Sequence, residues 1–268
     1  MRDAGPFSQS IYGGPPHGRY ARRDASGGVL PCPMWITEVN VNPDLMQPGI
    51  GHAAALWVKT KAYLRYYTFY PAKGVERVHT YNIGGNETGF GFLSDAFMSW
   101  AAGNHTALPA NVSAYETPAQ RALTALYDAL LAGADTSAAS PWNLTLAHWN
   151  ISSGHEVPVF AAGNGSLAFP DLTARDMFVF LPLSVNSTRA CVLFYVMHPN
   201  IFLDPAPIPF DLSIAGLPAP PRNVSCHTFD PTSMAAARVI CTMASSQQLT
   251  VSVTATDYPR ALFVDWAP

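Results

Sequence analysis

Two apolar runs follow each other in residues 177–197, which read MFVFLPLSVNSTRACVLFYVM. Both runs are almost continuously apolar, a pattern typical of strands that are buried on both faces of a sheet. The polar Asn-Ser-Thr sequence between them is short and suits an exposed turn. We therefore predict a central β-hairpin buried on both faces, with Asn186 at its exposed tip.

Further strand patterns lie on both sides of this hairpin. After Pro141 they cover residues 142–151, 156–162, 166–169, 210–214, 238–243, 249–255 and 261–264. Before it, residues 34–39 and 75–82 have strand character, and residues 56–70 alternate along their whole length. A period of two places the even residues of 56–70 against a core and the odd residues toward solvent. Residues 71–74, PAKG, are typical of a hairpin turn.

Helical patterns occur in the middle of the chain. Thr117 is a good N-cap, Pro118 suits the first helical position, and Gly133 can end the helix. Between them, five apolar residues recur at three- and four-residue spacing: Leu123, Leu126, Tyr127, Leu130 and Leu131. A shorter helix is predicted at 94–102, with Ser94 as its cap. The predicted fold is mainly β, an antiparallel β-sandwich with one or two inserted helices, and a two-layer α+β fold is the alternative.

The chain divides unevenly. Residues 1–31 are rich in Gly, Pro and Arg without apolar periodicity, so we predict a flexible arm. Residues 32–268 are predicted to form a single β-rich domain. Seven prolines lie in 199–222, and the strand pattern at 210–214 inside this segment indicates an edge or crossover strand rather than a linker.

The composition excludes several classes of protein. Hydrophobic residues make up 49% of the chain and charged residues only 12%, whereas disordered and coiled-coil proteins need abundant charge. The net charge of -3 argues against nucleic acid as a partner, because nucleic-acid-binding domains carry a basic surface.

Asparagine is used in an unusual way. Eight of the 12 Asn residues begin an Asn-x-Ser/Thr sequon, although the 37 Ser and Thr residues would produce roughly two by chance. The eight are Asn86, Asn104, Asn111, Asn143, Asn150, Asn164, Asn186 and Asn223. We therefore expect a chain that carries N-glycans and passes through a secretory pathway.

The four cysteines agree with that compartment. They include no C-x-x-C pair, so zinc-finger spacing is absent, and an oxidising lumen would join them in two disulfides. Three connectivities exist for four cysteines. We favour Cys226 with Cys241, in successive extended segments, which leaves Cys32 with Cys191.

The ends of the sequence lack targeting signals. No apolar h-region follows Met1, and no run of about 18 apolar residues occurs, so neither a signal peptide nor a membrane span is predicted within this chain. The interpretation is an ectodomain whose signal peptide and any anchor lie outside the sequence.

No catalytic motif stands out. The eight histidines are scattered, and none forms the i, i+4 pair of a helix-borne zinc site. The Gly-rich residues 84–91 lack the spacing and the lysine of a phosphate-binding loop. We predict no catalytic residue, no metal ligand and no cofactor, and treat a secreted hydrolase as an alternative that would need a cleft where acids or a histidine converge.

The distribution of sequons predicts a contact face. Residues 32–83 carry none, whereas residues 86–188 carry seven. This bare region contains the odd-numbered face of the predicted strand 56–70, which combines aromatic and cationic residues that are frequent at interface centres. The predicted partner-binding residues are Trp57, Lys59, Lys61, Tyr63, Arg65 and Tyr67. A protein receptor, a host factor or an acidic glycan would suit this face.

These observations favour non-catalytic recognition at a cell or virion surface: attachment, receptor engagement or sequestration of a host factor. The 12 Arg against 3 Lys indicate GC-rich codons. Together with the sequons and low charge, this composition is typical of glycoproteins of GC-rich large DNA viruses, although a GC-rich protist or alga would give the same composition. A structural or shielding glycoprotein is the remaining alternative.

Overall fold

The computed structural model describes residues 34–73, 75–103, 105–135, 144–151, 158–160, 172–174, 176–217 and 222–267. Several predicted features lie outside these residues. They are the arm at 1–31, Cys32, the strand at 166–169 and the sequon residues Asn104, Asn143 and Asn164.

The described residues form four α-helices and thirteen strands. The helices are α1 (Pro43–Met46), α2 (His52–Ala72), α3 (Asp95–Ala101) and α4 (Pro118–Leu131), and a short 3-10 turn covers Val112–Tyr115. The strands are β1 (Met34–Val39), β2 (Val75–Thr80), β3 (Thr145–Ile151), β4 (Pro158–Phe160), β5 (Leu172–Thr173), β6 (Phe178–Asn186), β7 (Arg189–Val196), β8 (Ile208–Ala215), β9 (Arg222–Asp230), β10 (Ala235–Val239), β11 (Cys241–Ser245), β12 (Gln248–Ala255) and β13 (Arg260–Ala267). None of these helices combines the length and hydropathy needed to cross a membrane.

Two antiparallel sheets pack face to face at the centre of the fold. One has five strands in the order β10-β9-β13-β7-β6, and the other has four in the order β11-β12-β8-β3. Side chains of both sheets, including Phe194, Phe210, Val251 and Leu262, form one continuous core between them. Each such fully buried side chain contributes roughly 1.5–3 kcal/mol of burial free energy. Separately, β1 pairs with β2 in parallel, and β4 pairs with β5.

Strand β7 is buried on both faces. Its even residues, 190 to 196, belong to the core between the sheets, whereas Cys191, Leu193 and Tyr195 pack with α2 and α4. The helices therefore add a third layer on the outer side of the five-stranded sheet. The predicted β-sandwich with inserted helices is confirmed. The prediction of a central hairpin buried on both faces holds for β7 but is wrong for β6, which is the edge of its sheet and exposes Pro182 and Ser184.

The two predicted helices are present. The Thr117 side chain accepts from the Gln120 amide while the Gln120 side chain accepts from the Thr117 amide, which is a capping box. Pro118 begins α4, and Gly133 beyond its end has a φ of +73°, which favours glycine. Ser94 caps α3 by accepting from the Phe97 amide.

The strand predicted at 56–70 is wrong: these residues belong to helix α2. Tyr63 and Leu64 pack against the five-stranded sheet and α4, while Val58 and Ala62 pack on the opposite side against Val41. A helix that is covered all round has no polar face, so its sequence lacks the contrast at period 3.6 that identifies surface helices. Its aromatic and β-branched residues then mimic a strand.

The predicted turn at 71–74 is also wrong, because Pro71 and Ala72 close α2. Strand β2 follows, but it pairs in parallel with β1 rather than forming a hairpin with residues 56–70.

Two predictions in the last third need correction. The single strand predicted at 238–243 is two strands, β10 and β11, which belong to different sheets and are separated by the exposed Ile240. The segment at 210–214 is not an edge strand, since β8 pairs with both β12 and β3. The chain crosses from the five-stranded to the four-stranded sheet between β7 and β8, which agrees with the crossover alternative. Its proline Pro209 lies near the start of the strand, where a proline is tolerated.

Candidate functional site

The predicted contact face does not exist as an exposed strand. Its members lie on α2, where residues two apart point in different directions. Lys59 is 3% exposed, and Lys61 and Tyr63 are 0% exposed. The buried Tyr63 hydroxyl donates to Asn40 Oδ1 at 2.9 Å, and burial raises its pKa. These charged and aromatic side chains therefore belong to the interior of the protein and not to a contact surface.

Lys61 and Arg65 form a buried ion cluster with Asp257, which lies between β12 and β13. Lys61 Nζ is 3.0 Å and Arg65 Nη2 is 3.2 Å from Asp257 Oδ2. Arg65 Nε also donates to the Asp257 carbonyl at 2.7 Å, and Lys61 Nζ donates to the Leu203 carbonyl at 2.5 Å. Burial raises the pKa of Asp257 and lowers that of Arg65, while each partner's charge opposes the shift. The cluster links α2 to the connection between β12 and β13.

Lys59 holds the loop that contains the first sequon. Its Nζ donates to the carbonyl of Gly89 at 2.7 Å and to that of Gly91. Burial lowers the pKa of Lys59 to about 8, and three carboxylates oppose this shift: Glu87, Asp44 and Asp95. The prediction that Lys59 lies on an exposed contact face is therefore wrong, because its charged group points inward at backbone carbonyls.

A disulfide joins the two sheets. Cys226 in β9 and Cys241 in β11 are bonded, with their Cα atoms 6.1 Å apart, so the predicted pair is confirmed. Cys191 is a free thiol that is fully buried, and burial raises its pKa. Its predicted partner Cys32 lies outside the described residues.

Five sequon asparagines lie within the described residues. Asn86, Asn111, Asn150 and Asn223 are exposed, so a glycan on any of them would meet solvent. Asn186 at the tip of the β6–β7 hairpin is half-buried, and its Nδ2 donates to the Gly133 carbonyl at 2.8 Å. Some of these asparagines lie in strands and others in turns, but four of the five side chains are exposed enough to carry a sugar.

Three of these sequons share a local geometry. In residues 86–88, 111–113 and 186–188, the hydroxyl of the third residue donates to the asparagine Oδ1 at 2.8, 2.7 and 3.1 Å. Such side-chain turns are typical of asparagine at surface loops. The sequons therefore coincide with turns that the local sequence itself stabilises.

The outer face of the four-stranded sheet forms an open groove of about 760 Å³, lined by both polar and apolar residues. Asn150, Asp211 and Ser252 lie opposite one another on β3, β8 and β12 and form one row across its floor. Ser252 Oγ donates to Asp211 Oδ1 at 2.5 Å. A second row crosses all four strands, through His148, Ser213, Thr250 and Thr242. Val239 and Ile240 line the groove at its far side.

The residues around β10 and β11 form a sequon-free edge of the sandwich, here called the 234–243 edge. β10 and β11 are the outermost strands of their sheets on this side. Two large apolar side chains are prominent there, Met234 at 59% and Ile240 at 88% exposure. At the opposite edge, β6 contains Pro182, and the Asp135 amide donates to the Val185 carbonyl of this strand at 2.9 Å. The 234–243 edge contains no proline, lysine or sequon, and the exposed Arg238 is its one charged residue.

A second, more apolar cavity of about 440 Å³ lies between the ends of α2 and α4 and the β6–β7 hairpin, with Tyr127 and Leu193 in its lining and Asn186 at its rim. Among the described residues, no group of three or more His, Cys, Asp or Glu is arranged to hold a metal ion.

Sequence reasoning missed the ion partner Asp257 and the groove. Asp257 had one available signal: two lysines and an arginine inside an aromatic-rich run need a counter-charge if that run is buried. The groove depends on strand register, for which the sequence contains no comparable signal. No protein-family model matches this chain, and no curated protein matches it either.

Proposed function

We propose that this chain is an extracellular N-glycosylated recognition protein, secreted or displayed at a cell or virion surface, that binds a protein partner without catalysis. The observation that carries the proposal is the use of Asn: eight of 12 begin a sequon, and four of the five described sequon asparagines are exposed. Exposed sequons are acceptors for N-glycosylation in secreted proteins.

The disulfide supports the same compartment. Cys226–Cys241 links the two sheets, and disulfide bonds persist in oxidising environments. A chain that folds there is accessible to the glycosylation machinery.

The contact surface that suits a protein partner best is the 234–243 edge. Edge strands expose unpaired backbone donors and acceptors, onto which a strand of another protein can add. Ala235, Ala236 and Ala237 are exposed and small, so an added strand could approach closely. Met234, immediately before β10, would contribute apolar contact area in the complex.

The first test is the intact mass of the protein secreted from a eukaryotic host, before and after enzymatic deglycosylation, without reductant. We expect several glycans and a Cys226–Cys241 bond in a peptide map. A secreted protein without glycans would refute the proposal.

The second test measures binding of the labelled glycoprotein to cultured animal cells by flow cytometry. Ala236→Lys introduces the charge that natural edge strands use against pairing, and we expect saturable binding to fall at least about tenfold, or about 1.4 kcal/mol. Thr124→Lys adds the same charge at an exposed position of α4 and is the matched control. Equal loss in both variants, or in neither, would exclude the 234–243 edge as the contact surface.

A further inference from the structure

We propose that the groove on the four-stranded sheet is a binding site for the N-glycan that this chain carries on Asn150. The inference rests on the proposed function, because it needs Asn150 to be glycosylated. It assigns a binding site to one glycan and a function to the outer face of the four-stranded sheet.

The attachment point lies in the groove itself. Asn150 is exposed on the edge strand β3 and lines the groove. Its row continues through Asp211 on β8 to Ser252 on β12. Because neighbouring strands are about 4.8 Å apart, the path from Asn150 across three strand spacings to β11 is about 14 Å long. The first sugars of a glycan that leaves Asn150 across the sheet would lie over this path.

The chemistry of the floor suits a sugar. Carbohydrate hydroxyls both donate and accept hydrogen bonds, and the floor offers the Asp211 carboxylate, the His148 imidazole and hydroxyls that do both. These hydroxyls belong to Ser213, Thr242, Thr250 and Ser252. The described residues that line the groove include no lysine or arginine, so they offer an anionic ligand no counter-charge. A neutral N-acetylglucosamine core has no such requirement.

The far wall suits the less polar parts of the same ligand. Ile240 is 88% exposed, and Val239 lies beside it. The N-acetyl methyl group and the C–H face of a sugar ring would cover these side chains. The volume of about 760 Å³ is within the range of sites that hold small ligands.

Covalent attachment favours this occupant over a free sugar or peptide. A glycan tethered at the edge of the groove is present at an effective concentration set by its short linkage, in the millimolar range or above. A free ligand would have to displace it. The glycan on Asn150 would therefore shield the face of the four-stranded sheet and keep it out of other contacts.

The experiment compares the glycan on Asn150 with that on Asn111, which is exposed outside the groove. Site-resolved mass spectrometry follows the trimming of both by an endoglycosidase on the native protein and after denaturation. We expect native trimming at Asn150 to be at least about tenfold slower than at Asn111, and the two rates to be equal after denaturation. Hydrogen exchange of β8 and β12 should increase in Asn150→Gln and remain unchanged in Asn111→Gln.

Ile240→Ser removes the apolar wall at an exposed position and should accelerate native trimming at Asn150 without affecting Asn111. Equal native rates at the two sites, an unoccupied Asn150 beside other occupied sequons, or unchanged exchange in Asn150→Gln would each overturn the groove assignment while leaving the proposed function intact. A protein without glycans at any sequon would instead refute the proposed function, and the groove assignment with it.

Discussion

The ion cluster of Lys61, Arg65 and Asp257 allows a direct measurement of what holds α2 onto the sandwich. The change is Asp257→Asn, which keeps the shape of the side chain and removes its charge. Lys61 and Asp257 are 0% and 2% exposed, so water does not screen the cations once the carboxylate is gone. Breaking a buried ion pair by removing one partner costs about 3–5 kcal/mol.

At this chain length that loss corresponds to a fall in Tm of roughly 6–20 °C. Thermal and urea unfolding followed by circular dichroism would measure it. Asp265→Asn is the matched control, because the Arg189–Asp265 pair is close but about 30% exposed, and such pairs contribute at most about 1 kcal/mol. Lys61→Met combined with Asp257→Asn should recover part of the loss, since it removes one of the unpaired charges. Equal effects of Asp257→Asn and Asp265→Asn would refute the reasoning and mean that Asp257 is already protonated at neutral pH.

Three further predictions concern other parts of the fold. The pKa of Lys59 falls to about 8 on folding, so above that pH the unfolded chain binds one more proton at this residue than the folded chain does. The unfolding free energy should therefore rise by about 2 kcal/mol from pH 8 to 10 in the wild type and not in Lys59→Met. Urea titrations would measure this, and parallel pH curves for the two proteins would contradict it. Replacing both members of Cys226–Cys241 by Ala should cost about 3 kcal/mol, because the bond closes a loop of 15 residues, and a loss below about 1 kcal/mol would be inconsistent with that origin. Gly91→Ala should cost roughly 1–3 kcal/mol, because the new Cβ would lie 2.5 Å from a backbone carbonyl oxygen, whereas Gly51→Ala meets no atom within 4 Å and should be neutral in the same assay.

The elements that sequence reasoning predicted well are those whose local pattern and packing agree. Strand β7 is apolar at every position after Arg189 because both of its faces are covered, and α4 has a capping box, an apolar stripe and a terminal glycine. The disulfide was predictable because its two cysteines lie in successive extended segments that meet at one side of the sandwich.

Helix α2 was not predictable from the same rules, because packing on all sides removes the polar face from its sequence. Once it was interpreted as a strand, the buried Lys59 and Lys61 looked like an exposed cationic surface. The chain divides at Ile240 into strands of two different sheets, and this division likewise depends on tertiary packing rather than on the local sequence. Sequons are visible in the sequence, but the groove beside Asn150 depends on the register of four strands.

The burial of β7 on both faces has a consequence for how the chain finds its pairing. When a strand with one polar and one apolar face slips by one residue, its apolar side chains become exposed to solvent. The lost burial free energy therefore selects the correct register. Strand β7 is apolar on both sides, so a slip would exchange the contents of the two layers without exposing either. The correct register must then be selected by interactions at the ends of the strand. Arg189 lies opposite Asp265, and the turn after Asn186 sets the spacing to β6.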